Sequence, residues 1–235
     1  MKRYALFGVV ALILVGCGTG ETSSDDVAQA PWLSYDLITP VVNVAYTTTP
    51  DEYVDEADYV LHVTVSETFE ERKSEISYHT DSPEDGMEEF FTETEVEVLN
   101  VLDNRSENDI AVGDNLHVRE PYVLEGDRIL HLLDSHAPLQ AESEYILLLE
   151  DSDVTLGTWT TFNVDGSDPY NFLFHPDERE RLAERLAYHD PDDVVEAYET
   201  LMAKSESHAY YAEQLADRID TKLDIYEQLR NRYSW

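Results

Sequence analysis

The stretch HLLDSH brings His131, Asp134 and His136 within six residues, and imidazole with carboxylate is the donor set that suits zinc or copper. Their spacing fits no tight preformed motif, so ordinary surface or core histidines are the preferred reading and a metal site the alternative. A second set, Asn163, Asp165, Ser167 and Asp168 of NVDGSDPYN, offers oxygens to a hard cation such as calcium. It lacks the terminal bidentate glutamate of an EF-hand loop, and a turn explains it more simply. Acid pairs such as Glu88-Glu89 and Asp192-Asp193 have the groups for proton transfer, yet a chain with 51 acidic residues holds many such pairs by composition alone. No G-x-S-x-G elbow, P-loop, H-E-x-x-H or dinucleotide glycine pattern is present. The expectation is therefore no catalytic residue and no cofactor. A hydrolytic enzyme without a recognisable motif stays as a further alternative.

The only cysteine, Cys17, follows the cationic start Met1-Lys2-Arg3 and the apolar run Tyr4 to Val15. That run is the size of a signal-peptide core and too short for a permanent span, which needs about 20 apolar residues. The quartet Leu14-Val15-Gly16-Cys17 resembles the lipobox of bacterial lipoproteins, in which a lipid joins the cysteine sulfur and the signal is cut just before it. The resemblance implies cleavage between Gly16 and Cys17, a lipid on Cys17, and a place on the extracytoplasmic face of the cell membrane. A thioether at Cys17 would leave the mature chain without a thiol, removing disulfides, Cys-type zinc sites and a cysteine nucleophile together.

Without Lys2 and Arg3 the chain carries 13 Lys and Arg against 51 Asp and Glu, a net charge of −38. A basic patch for nucleic acid phosphates or anionic headgroups is disfavoured, and membrane association falls to the anchor. Eleven of the 15 basic residues are arginine. Arginine keeps its charge where lysine begins to lose it, so the composition reads as adaptation to a salty or alkaline exterior, or simply as a soluble acidic surface. The stretch GTGETSSDDVAQAP has no hydrophobic period and reads as a tether.

Any site must be positioned by the elements that follow. In DYVLHVTVSE, Tyr59, Leu61, Val63 and Val65 fall on one face, and in FFTETEVEVLNVL the face of Thr92, Thr94, Val96 and Val98 opposes Glu93, Glu95, Glu97 and Leu99. Further strands are expected in NLHVRE, RILHLLD, EYILLLED and GTWTTFNVD, beginning near Leu37, with acidic loops at 70–89 and 103–111. Short strands at this spacing predict a small antiparallel β-barrel or sandwich. From Pro176 the period turns helical, with HPDERERLAERLAYH, the Asp190-capped DPDDVVEAYETLMAK, and a final stretch read as one long helix with the stripe Tyr211, Leu215, Ile219, Leu223 and Tyr226. That stripe is expected to pack on the chain itself, or else to receive a protein partner. Tyr170, Phe172, Leu173 and Phe174 are expected to dock the helices onto the barrel.

The order EADYVLHVTVSE, TETEVEVLNVLDN, VGDNLHVREP, APLQAESEYILLLE resembles a module of secreted and lipid-anchored Gram-positive proteins and, more distantly, the OB-like barrel of metalloprotease-inhibitor and netrin-type domains, over about residues 37–165. Inhibitors of that group chelate zinc with an unmodified, disulfide-braced N-terminal cysteine. This chain has no bracing cysteines, so that mechanism is not available to it. The reading as a whole is an α+β chain: a signal peptide over 1–16, a tether over 17–31, an OB-like barrel or sandwich over 32–175, and a packed helical segment over 176–235. Its expected role is a noncatalytic binding or accessory module, anchored through Cys17 and binding no nucleic acid.

Overall fold

The computed structural model describes residues 30–38, 50–78, 87–126, 129–132, 136–151, 156–187 and 189–234. The fold is α+β, a curled, mainly antiparallel sheet followed by helices. Its strands are β1 (Asp36–Ile38), β2 (Tyr59–Val65), β3 (Lys73–Tyr78), β4 (Met87–Asn104), β5 (Asn115–Glu120), β6 (Tyr122–Glu125), β7 (Ile129–Leu132), β8 (Glu144–Glu150) and β9 (Leu156–Asn163). The helices are α1 (Pro50–Glu56), α2 (Arg179–Ala183), α3 (Pro191–Lys204), α4 (Glu206–Asp217) and α5 (Ile219–Tyr233).

The main sheet runs β2-β8-β9-β5-β4-β3, and β4 also pairs with β2, so the pairings of five strands return to their start. Within it β5 and β9 are parallel, and the β2–β4 register shifts twice. Such bulges bend a strand and raise its twist, which is what curling requires. A small second sheet, β1-β7-β6, joins β1 in parallel to the β6–β7 hairpin.

The interior of the curl is filled by Tyr59, Leu61, Val63 and Val65 of β2, Val96 and Val98 of β4, Val118 of β5, and Tyr145, Leu147 and Leu149 of β8. On the other face of the same strands, Val60, Ile146 and Leu148 join Phe162 of β9 and meet Leu223, Tyr226 and Leu229 of α5. A strand covered on both faces has no solvent side to alternate with, which is why β8 reads as the unbroken run YILLL. Strand β4 alternates because its outer side is not covered: Thr92, Thr94, Val96 and Val98 are buried, and Glu97 is exposed.

The final stretch is not one helix: Arg218 separates α4 from α5, while Ser205, in extended conformation at φ −162°, separates α3 from α4 just before it. The reason lies in its stripe. Tyr211, Ala212, Leu215 and Ala216 pack into one core with Trp32, Leu33 and Tyr170, whereas Ile219, Leu223, Tyr226 and Leu229 pack into another with Phe162 and Phe172. The break at Arg218 falls where the stripe passes from the first core to the second. Two further expectations need correction. The expected loop over 70–89 contains β3, and PDEYVDE forms α1 against α5. Ala30 and Pro31, assigned to the tether, belong to the folded body: Ala30 is buried and Pro31 opens a 3-10 turn.

Candidate functional site

The densest set of buried polar side chains closes one end of the curl. Glu120, the last residue of β5, follows Leu116 and Val118 on the inward phase and is fully buried. Its carboxylate accepts from Arg72 Nη1 (3.2 Å), His136 Nε2 (2.9 Å), the Leu139 amide (2.8 Å) and the Thr94 hydroxyl. Burial pushes this carboxyl up, but Arg72, with His136 and Thr94, outweighs it and holds Glu120 below the usual carboxylate range. Arg72 also donates to Tyr122 Oη (2.9 Å) and the Leu139 carbonyl (2.6 Å), and its guanidinium lies 5.4 Å from the Phe69 ring centre. Burial and the Glu120 charge push the Tyr122 phenol well up, so it stays protonated.

Residues 136–140 strap this end shut. The His136 carbonyl accepts from Tyr211 of α4, and the Gln140 amide donates to Tyr145 Oη (2.9 Å). Tyr145 in turn donates to Asp168 Oδ2 (2.8 Å), and Asp168 Oδ1 accepts the Tyr170 amide (3.1 Å), capping the 3-10 turn Pro169–Phe172. Burial raises the Asp168 carboxyl to about 6, against the pull of the Tyr145 hydrogen bond and Lys222. Lys222 of α5 approaches over two aromatic faces, its ammonium 5.8 Å from the Phe162 ring centre and 5.6 Å from that of Phe172. Withdrawal from water lowers it to about 8, with Asp168 opposing. Withdrawal from water, with Lys222 adding to it, drops His189 to about 3, so this ring is neutral.

Of the alternative metal set His131, Asp134 and His136, only the His136 side chain is among the described residues. His136 is committed to Glu120, only the backbone of His131 is described, within β7, and Asp134 lies outside the described residues. No group of three or more His, Cys, Asp or Glu side chains suited to a metal occurs among the described residues. NVDGSDPYN folds as a turn. Asp165 Oδ1 accepts the Ser167 amide (2.9 Å), Gly166 takes φ +77°, Asn163 donates to the Glu144 carbonyl and Ser167 Oγ, and Asp168 faces inward. Asp192 and Asp193 lie in the first turn of α3, where acids suit the helix dipole. The side chains of Glu88 and Glu89, like Gly16 and Cys17, lie outside the description.

One serine and histidine pair meets at 2.6 Å, Ser205 Oγ with His208 Nδ1. The same oxygen accepts the His208 amide (3.3 Å) as the N-cap of α4, and capping accounts for the contact without a nucleophile. The closed polar end was legible in one respect only. A glutamate on the inward phase of a β strand demands a buried cation, and Glu120 occupies that phase in NLHVRE. Nothing in ERKSE marks Arg72 as its partner.

The open surface is different in kind. On the outer side of β4 and β5, Glu93 pairs with Arg119, Glu95 with His117 and Glu97 with Asn115. Arg119 lies 3.9 Å over the Phe91 ring. Charge is distributed unevenly along the chain: residues 18–175 hold 36 acids and 5 bases, and residues 176–235 hold 15 acids and 8 bases. In the helical half arginines bridge those acids, Arg185 reaching Asp220, Asp224 and Glu227, and Arg181 reaching Glu178 and Asp220. Compared with protein-family models and with the curated proteins, the chain finds no match in either.

Proposed function

We propose that this protein is a lipid-anchored, extracytoplasmic, noncatalytic binding or accessory module. The observation that carries the reading is the quartet Leu14-Val15-Gly16-Cys17 at the end of an apolar run of signal-peptide size. No described helix is long and apolar enough to cross a membrane, so the anchor has no rival among them. The folded body begins by Ala30, and thirteen residues after Cys17 span at most about 45 Å when extended.

The noncatalytic part of the reading is supported by where the perturbed groups lie. Glu120, Asp168, Tyr122 and Tyr145 are buried and joined to internal partners that close the end of the sheet. We also infer that the curled sheet is an OB-like barrel. In support, its strands follow the order first, second, third, fifth, fourth and back to the first, with the third and fifth parallel. The β6–β7 hairpin and the 136–140 strap then serve as its plug. The apolar stripe of α4 and α5 is used by the chain's own cores, so we assign the partner surface to the outer side of β4 and β5. Its acidity suits a partner bearing positive charge and opposes nucleic acid.

The test of the reading is Cys17→Ala. The variant should leave the processed membrane fraction for an unprocessed or released one. A variant that stays processed and membrane-bound contradicts the anchor.

A further inference from the structure

We propose that Asp168 is a proton-operated lock on the joint between the curled sheet and the helical half of the molecule. The joint is the short segment Asp168–Phe174. Its residues divide between the two cores, Tyr170 and Leu173 entering the one that holds Trp32 and Tyr211, Phe172 and Phe174 the one that holds Phe162 and Tyr226. Trp32 meets both Tyr170 and Tyr211 edge-on at 5.2 and 5.8 Å, and Phe172 meets Tyr226 at 5.5 Å. Displacing this segment would therefore loosen both cores where the helical half meets the joint, while α5 keeps its own contacts with the sheet.

Asp168 fixes the segment from its N-terminal end, with one oxygen on the Tyr170 amide and the other on Tyr145 of β8. The groups acting on its charge come from every side: Tyr145 from β8, Glu120 from β5, Tyr170 from the joint, Tyr211 from α4 and Lys222 from α5. Of these only Lys222 is a cation. Ionising Asp168 adds a second buried anion near Glu120, with Lys222 as the opposing charge. Protonation removes that conflict and keeps an oxygen to accept the capping amide.

The carboxyl moves from 3.8 in the unfolded chain to about 6 in the joint. The closed joint thus binds the proton more tightly. Its contribution to closure is complete below about pH 3.8 and is lost as pH rises through about 6. Two pKa units correspond to an approximately hundredfold change in the opening equilibrium.

Hydrogen exchange of the full-length chain in nonionic detergent, corrected for the intrinsic rate at each pH from 4 to 8, reads this directly. Protection at Tyr170–Phe174 should fall about a hundredfold over that range, with a smaller fall in β4. In Asp168→Asn the step should vanish. In Lys222→Met, which removes the cation holding the carboxyl down, the midpoint should move upward; this variant decides the matter if Asp168→Asn does not fold. The proposal is overturned by a flat wild-type profile, by an equal step in β4, by a step that survives in Asp168→Asn, or by an unmoved midpoint in Lys222→Met.

Discussion

Glu120 and Arg72 form a fully buried ion pair whose remaining bonding capacity is largely filled by His136, Thr94, Tyr122 and both backbone groups of Leu139. Buried pairs of this kind contribute little beyond well-packed apolar groups, but removing one partner strands a charge in a dry site. Arg72→Met should therefore cost about 3–5 kcal/mol in urea unfolding, and Arg72→Met with Glu120→Leu distinctly less. Equal losses in the two variants would mean that the strap holds without the pair. His136, a candidate metal ligand only in the alternative reading of HLLDSH, is the third member of this cluster. Its type was legible from HLLDSH. Its role was not, because it depends on Glu120, sixteen residues earlier, and on a carboxylate whose need for a cation shows only once the inward phase of β5 is known.

At the scale of elements, caps decide where the helices begin. Asp190 accepts the Asp192 amide (2.9 Å) at the start of α3, and Ser205 that of His208 at the start of α4. Asp190→Ala and Ser205→Ala should each cost about 1 kcal/mol, and the two losses should add within about 0.5 kcal/mol because the caps share no partner. Thermal or urea unfolding of the two variants and their combination checks this. Arg105 closes α1 from outside, donating to the carbonyls of Val54 (2.7 Å), Asp55 (2.6 Å) and Ala57 (3.2 Å). Strands were the most legible elements, because one-faced burial in β4 and two-faced burial in β8 leave distinct patterns. Helix α1 was hidden by its acidity and strand β3 by its polarity: PDEYVDE and KSEISY are stabilised by distant partners, α5 and β4, rather than by a local period. The break at Arg218 was equally invisible, since the stripe keeps its helical spacing while changing the core it faces.

At the scale of the whole molecule, a net charge of −36 must be held on one small surface. Arginine bridges spread across α2, α3 and α5 relieve part of it in the helical half, while the sheet half carries 36 acids against 5 bases. Melting temperature at neutral pH should rise with sodium chloride as the screening length falls from about 30 Å at 0.01 M to 3 Å at 1 M. Unchanged melting would show that the acids are already spaced or bridged well enough to be harmless. Charge also bears on position, since a polyanion gains nothing by lying on anionic headgroups, and the proposed membrane association therefore needs a covalent tie. The tie assigned to this chain is a single sulfur. Mass analysis of the N-terminal peptide from protein extracted out of membranes, after treatment with a thiol alkylating reagent, tests it most directly. A lipid anchor at Cys17 predicts a chain that begins at that residue, carries a lipid mass on it and takes up no alkyl group. A Cys17 that alkylates as a free thiol, or a mature chain that begins elsewhere, would contradict it.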